Sequence, residues 1–141
     1  MEIRHESVIR VPVAAVWDVY ADVPHWPRWT RSVTSAEYVV GDSLADGARV
    51  RVRQPRLPVT TWEVTEIVPG RSWSWVARSP GSRTTASHEL RPRADGHTDV
   101  VQTIVHEGWA GNLVGRLLAS QTRRYLAMEA EGLAAALEPA R

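Results

Sequence analysis

At 141 residues the chain has the length of one domain able to bury roughly two-thirds of its unfolded surface. Its 43% apolar and 23% charged residues lie far from disordered or membrane-spanning compositions, and the absence of cysteine excludes disulfides, thiolate catalysis and thiolate-bound metals. A net charge of +1, with the arginines dispersed along the chain, gives no footing for nucleic-acid binding.

In residues 2–11, Ile3, His5, Ser7, Ile9 and Val11 alternate with Arg4, Glu6 and Arg10, the period of a half-buried strand. Pro12, whose fixed φ suits a first helical turn, opens a short helix to about Asp22, with Val13, Val16, Trp17 and Tyr20 at helical spacing. Pro24 and Pro27 then restrict His25-Trp26-Pro27-Arg28-Trp29 to one helical turn at most. Six extended runs separated by turn signals follow, at 35–40, 48–54, 59–68, 72–78, 84–91 and 98–107, and are predicted strands of an antiparallel meander. Residues 111–137 lack proline and are rich in Ala, Leu, Arg and Glu, which predicts one long helix. Val114, Leu117, Leu118, Gln121, Tyr125, Met128, Leu133 and Leu137 fall near one side of it, a stripe that a sheet must cover.

Residues 1–138 are expected to form one domain and 139–141 a tail. No apolar run approaches the roughly 18 residues of a membrane-spanning helix, and residues 1–6 lack the features of a secretion signal, so a cytoplasmic location is expected. All seventeen non-histidine basic residues are arginine, which fits a GC-rich, bacterial coding sequence. Seven tryptophans without a phenylalanine make a sharper demand, because rings this large pack in a core or line a cavity. The fold class is α+β: a seven-stranded twisted sheet is too large for one helix to seal, so space is left between them.

The run Ile9-Arg10-Val11-Pro12-Val13-Ala14-Ala15-Val16-Trp17-Asp18-Val19-Tyr20-Ala21-Asp22, followed by Trp26-Pro27-Arg28-Trp29, resembles the opening of the polyketide cyclase/dehydrase and lipid-transport group of the START/Bet v1-like superfamily. Arg53-Gln54-Pro55, Trp62-Glu63-Val64-Thr65-Glu66, Pro69-Gly70-Arg71-Ser72-Trp73-Ser74-Trp75 and Ala86-Ser87-His88-Glu89-Leu90 extend the likeness to about residue 137. The resemblance implies a helix-grip fold with an internal cavity for hydrophobic ligands, in a group holding cyclases, lipid carriers and hormone receptors. The matched motifs are structural, so no catalytic residue is carried over from them.

Strand alternation nominates the lining. Thr98, Val100, Gln102, Ile104 and His106 share the acid-free face of the last strand; Ala86, His88 and Leu90 go together before it; Trp73, Trp75, Trp62 and Val64 point the same way. Burying the guanidiniums of Arg49, Arg51 and Arg53 would cost several kcal/mol each, so Val50, Val52 and Gln54 are expected inside, the alternative being an arginine ladder that grips an acidic ligand. Trp17, Trp26 and Trp29 from the short helices, and Leu117, Gln121 and Tyr125 from the long one, complete the expected ligand contacts. Trp26, Trp29 and Trp109 near the ends of the sheet either clamp a flat ligand or cap the core.

His88 and His106 are the acid–base candidates, since imidazole titrates near neutrality; the alternative for each is a hydrogen-bonded core histidine. Tyr20 and Tyr125 offer phenols that hold a ligand carbonyl or simply pack, and Gln54 and Gln102 offer fixed polar contacts. Arg124 and Glu129 read as a structural ion pair at the helix's inner edge. No His-Glu-x-x-His, Gly-x-Ser-x-Gly, phosphate loop or dinucleotide fingerprint occurs, so no metal and no cofactor is expected. Three readings follow: a carrier for a hydrophobic, polyketide-like small molecule; a cyclase or dehydratase acting by substrate folding with His and Tyr proton transfer; or a module without a small ligand that pairs with itself through a sheet edge.

Overall fold

The computed structural model describes residues 1–139. The expected tail falls mostly beyond them. Strand β1 spans Glu2–Ile9, helix α1 Val13–Tyr20, and a 3₁₀ helix Val23–Arg28. Strands β2 to β7 follow at Ser35–Val40, Arg49–Arg53, Thr60–Val68, Ser72–Ser79, Ser82–Pro92 and Thr98–Glu107, and helix α2 closes the chain at Gly111–Leu137. Pro12 caps α1 rather than entering it, and β1 stops at Ile9, two residues short of the expected end. Pro24 and Pro27 leave the connector too few backbone donors for an α-helix, hence its 3₁₀ form.

All seven strands form one antiparallel sheet in the order β1-β7-β6-β5-β4-β3-β2, so the first strand folds back beside the last and β1 and β2 are the edges. The sheet with its long C-terminal helix is the helix-grip architecture. Helix α2 packs on β1, β7 and β6, leaving the β3–β5 half of the inner face to the short helices and to open space.

Register aligns side chains in rows across the inner face. Val64 of β4, Trp75 of β5, Ala86 of β6 and Ile104 of β7 form one row. Trp73, His88, Gln102 and His5 form the next, and Thr84 sits opposite His106. An irregularity between Val64 and Glu66 skips Thr65, which keeps Ile67 facing Trp73 beyond it. On β3 the inner face carries buried Val50 and Val52, while Arg49 and Arg51 lie outside, bonded across the strands to Glu63 at 3.2 Å and Glu37 at 3.1 Å. Arg53 is exposed as well. The arginine-ladder alternative is therefore excluded: all three guanidiniums stay on the solvent side, two of them beside a carboxylate.

Candidate functional site

Between the sheet and α2 lies a cavity of about 560 Å³, within the size range of small-molecule sites, roughly 300–1,000 Å³. Its aromatic wall is Trp26 from the 3₁₀ helix, Trp62 from β4 and Trp75 from β5. Trp75 stacks on Trp62 with centroids 5.7 Å apart and meets Trp26 at 5.7 Å. Val52, Gln54, Ala86, His88, Ile104 and His106 continue the sheet side. Leu118, Thr122, Tyr125 and Glu129, spaced by four, three and four residues, form the helical stripe that faces them. Leu57, Pro58, Val59, Thr61, Arg78 and Ser79 border the cavity where the chain meets solvent.

The expected residues divide into three groups. Trp26, Trp62, Trp75, Val52, Gln54, Ile104, Tyr125, His88 and His106 all line the cavity. Trp17, Tyr20, Trp73 and Gln102 do not: Trp73 is fully buried behind the wall, edge-on to Trp17 at 5.8 Å and to Tyr20 at 4.8 Å, and Gln102 is buried beside Tyr20 and Glu129. These large side chains fill the space under α1, so the wall is two layers thick there. Leu117, Gln121 and Trp29 lie elsewhere. Successive helical residues point about 100° apart, so with Leu118 facing the cavity, Leu117 turns out to solvent at 74% exposure. Gln121 bonds the Pro55 carbonyl at 3.3 Å and the Tyr125 hydroxyl at 3.0 Å, and Tyr125 also donates to Pro55, so the pair ties the 54–59 loop to α2. Trp29 borders a separate recess with Arg31, Met128, Glu131 and Gly132.

The chemistry concentrates at Glu129, which the sequence reading assigned to a pair with Arg124. Arg124 is exposed and makes no ion pair among the described residues, whereas Glu129 is buried and its Oε1 accepts a hydrogen bond from the Tyr20 hydroxyl at 2.6 Å. Burial pushes the Glu129 carboxyl up to about 7, against the hydrogen bond from Tyr20 and the nearby Gln102 amide, which favour the charged form. Among the described residues neither Gln102 amide atom has a partner within hydrogen-bond geometry, so its influence is that of a close dipole. Tyr20 is itself pushed well above its ordinary value, by burial first and by the Glu129 charge second. Its phenol is a fixed donor to Glu129 rather than a group that meets a ligand. The signal for this pair was invisible in sequence because 109 residues separate its members.

His88 stacks on Trp73 with centroids 4.0 Å apart and planes 14° from parallel, and its Nδ1 faces the Trp73 carbonyl at 3.3 Å. Burial pulls it down to about 3, so the ring is neutral at ordinary pH, and among the described residues its Nε2 makes no hydrogen bond. It can orient a ligand, but it is a weak base. His106 is held through Nδ1 by Thr84 Oγ1 at 3.0 Å and is lowered by burial and by the nearby N-terminal ammonium. Among the described residues no three His, Asp or Glu side chains converge on a point that would hold a metal ion, and no helix is long and apolar enough to cross a membrane.

Comparison with known proteins agrees with this architecture. The family described as polyketide cyclase/dehydrase and lipid transport matches residues 1–138. A Streptomyces halstedii protein provisionally named a polyketide cyclase is 35% identical over 82 residues, 58% of this chain and 64% of the relative, so the match spans less than two-thirds of that protein. The Zhui aromatase/cyclase of Streptomyces sp. R1128 superposes with a TM-score of 0.78 at 16% identity, covering 98% of this chain and 93% of that one. Major latex-like protein 151 of Panax ginseng reaches a TM-score of 0.83 at 11% identity, covering 99% and 98%. At these identities the two structures speak for the fold alone.

Proposed function

The chain belongs to the polyketide cyclase/dehydrase and lipid-transport family, and from that premise we propose that its cavity binds an apolar, polyketide-like small molecule with a carbonyl or hydroxyl group turned toward Glu129 and His88. The observation that carries this reading is the meeting of a three-indole wall with one buried carboxyl group inside about 560 Å³. The indoles supply stacking area for flat or folded unsaturated chains, and the buried polar atoms fix orientation. Titrating the protein with a hydroxyanthraquinone while following tryptophan fluorescence should give saturable quenching. Trp62→Leu should weaken the affinity roughly fivefold, at about 1 kcal/mol for a stacked ring pair. A flat response to a broad set of flat and flexible apolar probes overturns the reading.

A second reading, catalysis of dehydration, is favoured by the near-neutral Glu129 carboxyl. With a β-hydroxy ketone in the cavity, the Glu129 carboxylate takes the proton from the carbon beside the carbonyl. That C–H electron pair forms the new C=C bond as the hydroxyl leaves, and the proton returns from Glu129 to the leaving oxygen, releasing water. Neutral His88 holds the substrate oxygen without gaining charge. Turnover should rise with pH through about 7 as Glu129 ionises and vanish in Glu129→Gln, while fluorescence shows that probe binding persists. Undiminished turnover in that variant removes Glu129 from the chemistry and leaves the carrier reading.

A further inference from the structure

The outward face of α2 does not look like an ordinary solvated helix face. Trp109, just ahead of the helix, is 88% exposed, and Leu113 and Leu117, at four-residue spacing from it, are 62% and 74% exposed. Leu113 and Leu117 share one face of the helix, and Trp109 stands just ahead of its N-terminal end. Arg116, Arg123 and Arg124 flank that face, all exposed and without an ion pair among the described residues. Residues 108–128 contain no Asp or Glu. The Trp109 indole is held in place against Gly81, in the β5–β6 turn, where φ is 74° and a Cβ would run into the ring. That turn adjoins Arg78 and Ser79 at the cavity's border, and the next helical stripe, Val114 and Leu118, lines the cavity itself.

We infer that this face docks on an anionic lipid surface, placing the cavity's mouth against the bilayer so that apolar ligand passes between the two. The inference rests on the apolar-ligand reading above for its purpose, but not for its geometry. An indole with two leucines inserts at the headgroup boundary, and guanidiniums at the same level meet lipid phosphates; a stripe of protruding apolar rings and aliphatics interleaved with unpaired cations is the pattern of interfacial helices. Charge complementarity selects the occupant. A bare positive stripe with no acid in twenty-one successive residues repels a second copy of itself across a two-fold axis, whereas an anionic bilayer neutralises it.

Co-sedimentation with phosphatidylcholine vesicles, with and without phosphatidylglycerol, tests this. Binding is expected to the anionic vesicles, to weaken with salt, and to be lost in Trp109→Ser/Leu113→Ser/Leu117→Ser. Arg116→Gln/Arg123→Gln/Arg124→Gln should lower it roughly a hundredfold, at about a fivefold effect for each basic residue near the surface. Circular dichroism of both variants checks that they fold, and probe fluorescence checks that the cavity still fills, so failure of docking is distinguishable from failure of ligand binding. Absence of wild-type binding to anionic vesicles at low salt overturns the inference, as does a wild-type dimer in sedimentation equilibrium that the serine variant converts to a monomer.

Discussion

At Glu129 and His88, burial acts on opposite charges and produces opposite pH dependences on facing sides of one cavity. Glu129 sits at about 7 in the fold against an ordinary 4.5, so folding favours its protonated form. That contribution to stability is complete below about 4.5 and is lost as pH rises through 7. His88 sits at about 3 against an ordinary 6.5, so folding favours its neutral form; its contribution is complete above 6.5 and is lost as pH falls toward 3. Between roughly pH 4.5 and 6.5 the two slopes, each at most about 1.4 kcal/mol per pH unit, oppose one another. Glu129→Gln keeps an acceptor for the Tyr20 hydroxyl and removes one slope, so the variant should lose stability on acidification from about pH 6.5. His88→Asn should instead gain stability from about pH 7 down to about 4.5. Urea midpoints at the two ends of that range check both signs, and parallel profiles for the two variants would show that neither group is shifted by burial as described.

At the scale of elements, the contact between α2 and the chain following the 3₁₀ helix decides how far the helix can close on the sheet. Gly132 lies against the Trp29 backbone, where an added Cβ would run into the Trp29 carbonyl oxygen. In an open helix, Gly→Ala gains about 1 kcal/mol in propensity. Here the obstacle is backbone, which cannot rotate away, and overpacking of that kind costs about 1–3 kcal/mol. With the added Cβ far inside contact distance of that oxygen the cost falls at the upper end of the range, so Gly132→Ala should lower the thermal midpoint by several degrees, a net ΔΔG of about 2 kcal/mol. An unchanged or raised midpoint in calorimetry would mean that α2 can slide off Trp29 freely. At the other border of the cavity, Arg56 takes φ of 64°, an unusual conformation for a side-chain-bearing residue, in the loop whose Pro55 carbonyl is held by Tyr125 and Gln121. The loop is thus shaped by the helix it faces.

Over the whole molecule, what the chain alone settles is what depends on near neighbours. Alternation of period two marked β1, extended runs between turn signals marked the other six strands, and alternation identified the inner faces of β3, β5, β6 and β7, because the side of a pleat follows from the residue's parity. Composition without a proline marked α2 at Gly111–Leu137, and Pro24 and Pro27 marked the broken connector. The family likeness carried in residues 9–29 pointed to the helix-grip arrangement that the sheet order displays. Tertiary structure alone decided depth and partnership. Parity placed Trp73, Trp75, His88 and Gln102 on the inner face, but whether each meets the cavity or a second layer depends on where α1 and α2 rest. On α2 the stripe was read too broadly: Leu117 and Gln121 lie beyond its edge, and Glu129, passed over as half of a local ion pair, meets Tyr20 from the far end of the chain. Sequence-local rules carry the orientation of a side chain. What lies opposite it, and hence its charge, requires segments that only the folded chain brings together.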